Sequence, residues 1–189
     1  MIVQEHRKRI IIRSTDPGAA GMRGMDFEKE IMLAAKEYWR RKIAYIQKFE
    51  VPKGYRKTPN GDKVFYKSKT GYDFIGSRFY GPNNQYARSL FIEAKSNKTK
   101  SGLPFLLPTD PDQFGVKYHQ FEALCDLEKL GAESYILFRN REGVYIARAL
   151  ALRKLNPYGR SIFPIEHSEI WIEVKRVQGV WLDFLNAMQ

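Results

Sequence analysis

Two short stretches constrain this chain more than any others: Tyr72-Asp73-Phe74-Ile75-Gly76 and Phe91-Ile92-Glu93-Ala94-Lys95. Both are apolar, aromatic or β-branched and are bounded by Gly, Pro, Asn and Ser, the pattern of short strands. Strand side chains alternate between faces, so Phe91, Glu93 and Lys95 point one way and Leu90, Ile92 and Ala94 the other. A carboxylate and an ammonium thereby stand side by side on an otherwise hydrophobic strand. Charge left there is expensive unless it is paired or binds a metal. Asp73 supplies a second carboxylate from the preceding strand.

An Asp followed by Glu-x-Lys on the next strand is an arrangement with which many nucleases hold a divalent cation beside a scissile phosphate. Mg²⁺ prefers oxygen ligands and is typically held by one or two carboxylates together with phosphate and water. Such a cation acidifies water and offsets charge developing on phosphorus, and a lysine two residues beyond the Glu can orient the attacking water or support that charge. Without context, the same residues read as a solvated ion pair on an amphipathic strand. The rest of the chain has to decide.

At 189 residues, one domain spanning 1–189 with a real core is the expectation, and 43% hydrophobic with 28% charged residues is the composition of a folded soluble protein. No run approaches the roughly 18–20 apolar residues that span a bilayer. Residues 1–13 interleave charges with a short Ile run, unlike a signal peptide. Cys125 is the single cysteine, which excludes an intramolecular disulfide and a cysteine-based zinc site. A cytoplasmic location is the default. The 32 Lys and Arg against 21 Asp and Glu give a net charge of +11, which favours a polyanionic partner. A membrane surface is the competing explanation, but no helix pairs a strongly basic face with a fully apolar one. Nucleic acid is the better fit.

Residues 1–24 read as a basic arm (His6, Arg7, Lys8, Arg9, Arg13) followed by a loop, either a flexible tail or an arm along DNA. From Asp26 to about Arg41 the period is helical, with Phe27, Ile31, Ala34, Ala35 and Tyr38 as a buried stripe. At about 100° per residue Glu28 falls inside the apolar arc and Glu30 at its solvent edge. A helix dipole alone would favour an acid near the N-terminus. Beside a suspected metal site, Glu28 reads as a third acid facing it.

Residues 43–50 alternate as a strand. Residues 51–69 are strongly basic, with Lys53, Arg56, Lys57, Lys63, Lys67 and Lys69 interleaved with Tyr55, Phe65 and Tyr66 around a Pro-Asn-Gly-Asp turn. A solvated loop is one reading; a hairpin projecting onto DNA is preferred. Residues 77–88 read as a loop. Lys98 and Lys100 form a basic rim beyond Lys95, and residues 103–108 are apolar and extended. Residues 117–130 read as a second helix closed by Gly131, with a stripe of Phe114, Tyr118, Phe121, Leu124 and Cys125 and with Gln120 at its border. His119 and Cys125 read as ordinary structural residues. Residues 134–138, 144–147 and 170–174 read as strands, 149–155 as a short helix and 181–188 as a terminal helix. The whole is an α/β fold, a central mixed sheet flanked by helices.

These pieces resemble a family, the RecU-type Holliday-junction resolvases of the PD-(D/E)XK nuclease superfamily. Arg23-Gly24-Met25-Asp26-Phe27-Glu28 resembles the start of that family's first helix. Asp73-Phe74-Ile75-Gly76 is similar to its Asp-aromatic-x-Gly segment, and Ile92-Glu93-Ala94-Lys95 to its Glu-Ala-Lys strand. His119-Gln120, Arg160-Ser161-Ile162 and Asp183-Phe184-Leu185 resemble later pieces, so the likeness runs along almost the whole chain. It implies a restriction-endonuclease-like core and a homodimeric, Mg²⁺-dependent enzyme, with Mn²⁺ as a substitute, that nicks four-way junctions symmetrically during recombination in a bacterium or its phage. Glu28, Asp73, Glu93, Lys95 and Gln120 would be catalytic. Asp73, Glu93, the Ala94 carbonyl and, through water, Glu28 would hold the metal. Arg7, Lys8, Arg9, Arg13, Arg23, Lys53, Arg56, Lys57, Lys67, Lys69, Lys98 and Lys100 would bind DNA, with 51–69 as a stalk entering the junction. The chain departs from the family at Tyr72, where Thr is usual, in its greater length between Asp73 and Glu93, and in its short stalk. Another nuclease of the same core, cutting duplex or repair DNA, and a silent architectural DNA-binding protein are the alternatives.

Overall fold

The computed structural model describes residues 18–50, 53–58, 61–66, 71–110, 113–178 and 181–188, with backbone alone for 18–25, 53–56, 58 and 61–66. Helix α1 (Gly18–Arg40) leads into strand β1 (Ala44–Lys48). The hairpin β2 (Lys53–Thr58) and β3 (Gly61–Tyr66) forms its own two-stranded sheet, as the basic segment predicts. Strands β4 (Phe74–Tyr80) and β5 (Tyr86–Ser96), the short β6 (Leu103–Phe105) and helix α2 (Tyr118–Lys129) follow. Next come β7 (Glu133–Arg139), β8 (Val144–Arg148) and α3 (Ala149–Arg153). The chain closes with the short strands β9 (Arg160–Ile162), β10 (Ile172–Glu173), β11 (Arg176–Val177) and β12 (Trp181–Leu182).

The main sheet has six strands in the order β1-β4-β5-β7-β8-β10. Its pairs are antiparallel except β5 with β7, which run parallel with Glu93 opposite Ile136 and Lys95 opposite Phe138. A parallel pair needs a long crossover, supplied here by the segment carrying β6 and α2. Helices therefore cover both faces of the central strands. On one face Phe27, Ile31 and Tyr38 of α1 pack on Phe74, Leu90, Ile92 and Leu137; on the other Phe121, Leu124 and Cys125 of α2 pack on Phe91, Ile136 and Phe138. The alternation in 90–95 sorts residues between two cores rather than between core and solvent. This is why β7 is buried along nearly its whole length.

Four local expectations are corrected. Residues 18–24 continue α1 instead of forming a loop; small residues between glycines show no apolar stripe by which to recognise a helix. Most of 77–88 is strand, because Arg78, 5% exposed, pairs with the buried Glu133 at 3.6 Å. The Glu133 carboxylate also accepts the Tyr80 hydroxyl and, at 3.0 Å, that of Tyr135. Phe114 and Tyr118 are substantially exposed, and the α2 stripe narrows to Phe121, Leu124 and Cys125. The predicted terminal helix is instead β12, paired with β11, and a 3₁₀ turn over Asn186–Met188. There the Tyr38 hydroxyl donates to Asp183 at 3.1 Å and accepts the Leu185 N–H at 2.8 Å, while Trp181 and Phe184 meet its ring edge-on at 5.2 Å. Tertiary partners thus replace the helical hydrogen bonds.

Candidate active site

Asp73 sits just ahead of β4, fastened on both sides. Its N–H donates to the Ile92 carbonyl at 2.9 Å, and its carbonyl accepts the Phe49 N–H at 2.8 Å. Its carboxylate then accepts the Ala94 N–H at 2.9 Å. Three residues on, Gly76 lets β1 pass close by, since a Cβ there would lie 2.0 Å from the Tyr45 carbonyl oxygen. The Asp-aromatic-x-Gly segment is thus an acid and the close strand contact that fixes its register.

Glu93 and Lys95 share one face of β5. Glu93 is completely buried, and one of its oxygens accepts the Lys95 ammonium. The other, Oε2, is buried without a hydrogen-bond partner. Burial pushes the Glu93 carboxyl up to about 8; the Lys95 cation opposes this and Asp73 adds to it. The Asp73 carboxyl is also raised, chiefly by burial, against the pull of Lys95 and the Ala94 N–H. Burial alone would lower the Lys95 ammonium, but Glu93, Asp73 and Glu28 together raise it. Gln120, buried in the first turn of α2, accepts the Lys117 N–H at 3.1 Å. Its amide favours the charged form of Glu93 without giving Oε2 a well-formed hydrogen bond.

Glu28 comes to the same place from α1, at the margin of the buried arc rather than within it, its side chain 29% exposed. It is engaged by Lys48 at 2.6 Å. Sequence reasoning missed Lys48, the last residue of β1. Its ammonium is raised foremost by the Glu28 hydrogen bond, with Asp73 contributing. The signal was available: alternation puts Lys48, itself 48% exposed, in phase with the buried Ala44 and Ile46 at the strand end. Glu30 does not face solvent freely, as its carboxylate bridges Arg139 at 3.1 Å and Arg176 at 2.7 Å.

Among the described residues no three His, Cys, Asp or Glu side chains form a ready metal cage. Asp73 and Glu93 are the two carboxylates that could hold a hard cation, and the bare Glu93 Oε2 fits that role; a Mg²⁺ site commonly has only one or two protein carboxylates. Ala94 lies on the strand between Glu93 and Lys95, with its N–H on the Asp73 carboxylate. Of the expected DNA contacts, Arg7, Lys8, Arg9, Arg13, Lys67 and Lys69 lie outside the described residues. Arg23 lies in α1, and Lys53 and Arg56 in the β2–β3 hairpin, with Arg56 opposite Lys63. Lys57 and Lys98 are exposed, and Lys100, also exposed, pairs with Glu142 at 3.2 Å. No helix among the described residues is long and apolar enough to cross a membrane.

No curated protein matches the chain. A family model does: RecU, Recombination protein U, over residues 22–189, a span that includes Glu28, Asp73, Glu93, Lys95 and Gln120. With a mixed sheet that joins these residues at one strand end, the chain belongs to the RecU family of Holliday-junction resolvases.

Proposed function

We propose that this protein is a metal-dependent endonuclease that acts as a homodimer and resolves four-way DNA junctions by paired nicks. The observation that carries the reading is Glu93: a fully buried carboxylate with one oxygen on Lys95, the other without a partner, and Asp73 beside it. A buried carboxyl with one oxygen unpartnered is costly in a purely structural role. Asp73 and Glu93 would hold Mg²⁺, or Mn²⁺ in its place, with the Ala94 carbonyl and, through water, Glu28 completing the set. When bound, the cation offsets phosphate charge and acidifies water.

The chain's own residues supply the rest. Lys95, kept protonated by three acids, holds positive charge where a phosphate would enter. Asp73 is oriented by the Ala94 N–H and cannot swing away without leaving that donor buried. Gln120, tied to the N-terminus of α2, keeps an amide dipole on Glu93. Lys48 holds Glu28 at the margin of the site. One such site reaches one strand, so matched nicks require two copies related by a two-fold axis, with the 51–69 hairpins entering the junction.

The test is cleavage of four-way, three-way, flap and linear DNAs with Mg²⁺, together with sedimentation of the free protein. A dimer should nick the four-way junction at symmetric positions, and Asp73→Asn should abolish cleavage while DNA binding persists. A monomer that cuts linear duplex as readily as junctions would instead identify a general nuclease on the same core. Wild-type protein that binds DNA without cutting it would point to an architectural role.

A further inference from the structure

The outer side of α1 carries a feature that begins at the margin of the active site and extends well beyond it. Beside Glu28 and Lys48, the side chains of Lys29, Met32, Leu33 and Lys36 line a groove of about 550 Å³. Farther along, Trp39, Arg40, Lys42, Phe79 and Asn84 line a second of about 470 Å³. Lys36 of the first groove neighbours Trp39 and Arg40 of the second at three- and four-residue helical spacing. The two grooves therefore follow one another along the helix, from the carboxylates to the turn between β4 and β5. At 1.5 Å per residue, Glu28 and Trp39 are roughly 16 Å apart along the axis. That is the axial length of about five nucleotides of a B-form strand.

Trp39 is 59% exposed, whereas Trp171 and Trp181 are 2% and 5% exposed. It is no loose surface side chain: Tyr45 meets its ring edge-on at 5.5 Å, and Phe79 lies tilted at 6.5 Å. Just beyond α1, Lys42 has φ 55, a conformation that favours Gly or Asn, and lines the second groove. Arg40 and Arg41 are engaged by Glu37, but Lys36 and Lys42 make no ion pair among the described residues. The helix dipole accounts for cations at this end. It does not account for a braced, exposed indole among them. A second copy of the chain could also cover such a face, but a two-fold contact here would crowd these lysines against their own equivalents.

We propose that α1 and the β1 edge form a track for a DNA strand leaving the active site, in which an unpaired base stacks on Trp39 and Lys36 and Lys42 meet its phosphates. The direction of the strand rests on the nuclease reading; the binding surface does not.

The experiment measures binding of the full chain in EDTA to a blunt duplex and to the same duplex with a five-nucleotide unpaired tail carrying 2-aminopurine. The tail should raise affinity and quench tryptophan fluorescence. Trp39→Ala should weaken tailed-DNA binding about tenfold, abolish the quenching and leave blunt-duplex binding within about twofold. The double variant Lys36→Gln/Lys42→Asn leaves the rings in place and should lower the salt slope on tailed DNA by about 1.4. Wild-type affinity in Trp39→Ala, equal losses on both DNAs, or an unchanged salt slope in the double variant would each overturn the track. So would conversion of a dimer to a monomer by Trp39→Ala, which would assign the face to a second copy. Tail binding that depends on Trp39 in a protein unable to cut junctions would refute the nuclease reading alone. Junction cleavage with tail binding indifferent to Trp39 would refute the track alone.

Discussion

The state of Glu93 makes the stability of the metal-free protein depend on pH in a calculable way. Its carboxyl is raised from 4.5 to about 8 in the fold, chiefly by burial. Between those values the native state holds a proton that the unfolded chain has released. Its contribution to stability is therefore fully present below the unfolded pKa and is lost as pH rises through the folded one. One proton corresponds to about 1.4 kcal/mol per pH unit, or ~2.7 kcal/mol between pH 5.5 and 7.5. Coupling to Lys95 and Asp73 spreads the titration, so at least half of this, ~1.4 kcal/mol, should appear. Glu93→Gln removes the titration. In urea melts with EDTA, wild type should lose stability relative to Glu93→Gln across that range. At about 2–3 kcal/mol/M the relative midpoint shift is roughly 0.5–1.4 M. Millimolar Mg²⁺ should restore stability to wild type at pH 7.5 more than at 5.5, because cation and proton compete for the same carboxylate. It should do little for the Gln variant. Parallel pH profiles for the two proteins in EDTA would refute the reasoning, since Glu93 would then titrate as an ordinary exposed acid.

Glu28→Gln should reduce junction cleavage at least tenfold, because Glu28 faces Lys48 and the Asp73 site. Glu30→Gln should cost about 1 kcal/mol of stability and leave the chemistry nearly intact, its partners being Arg139 and Arg176; the reverse order in cleavage assays would show the two acids to be exchanged in role. Tyr38→Phe leaves the buried Leu185 N–H without its acceptor and should destabilise by about 1–3 kcal/mol in urea melts. Neutralising Arg56, Lys57, Lys67 and Lys69 together should lower the salt slope of DNA binding by up to about 3.6, and an unchanged slope would show that the hairpin meets no phosphates.

Much of this protein is determined by short-range pattern. Period-two alternation places Glu93 and Lys95 on one side of β5, and the 3.6-residue period of Phe27, Ile31 and Tyr38 defines the buried stripe of α1. The candidate site was legible for a related reason: charge on an apolar strand is costly, so Asp73, Glu93 and Lys95 stood out, although the family was legible only from the motifs along the whole chain. The tertiary structure decided what depends on partners distant in sequence. Arg78 is a buried strand residue only because Glu133, two strands along the sheet, neutralises it. The apolar run Trp181–Leu185 had helical spacing, but Tyr38 of α1 takes its backbone and ring contacts and holds it extended into a turn. Glu30 looked solvent-facing until β7 and β11 brought two arginines to it. Lys48 became part of the site when β1 was laid antiparallel on β4 and its end met Glu28. Periodicity assigns a face to each side chain, whereas what occupies the space opposite that face is set by strand order and register, which no local window contains.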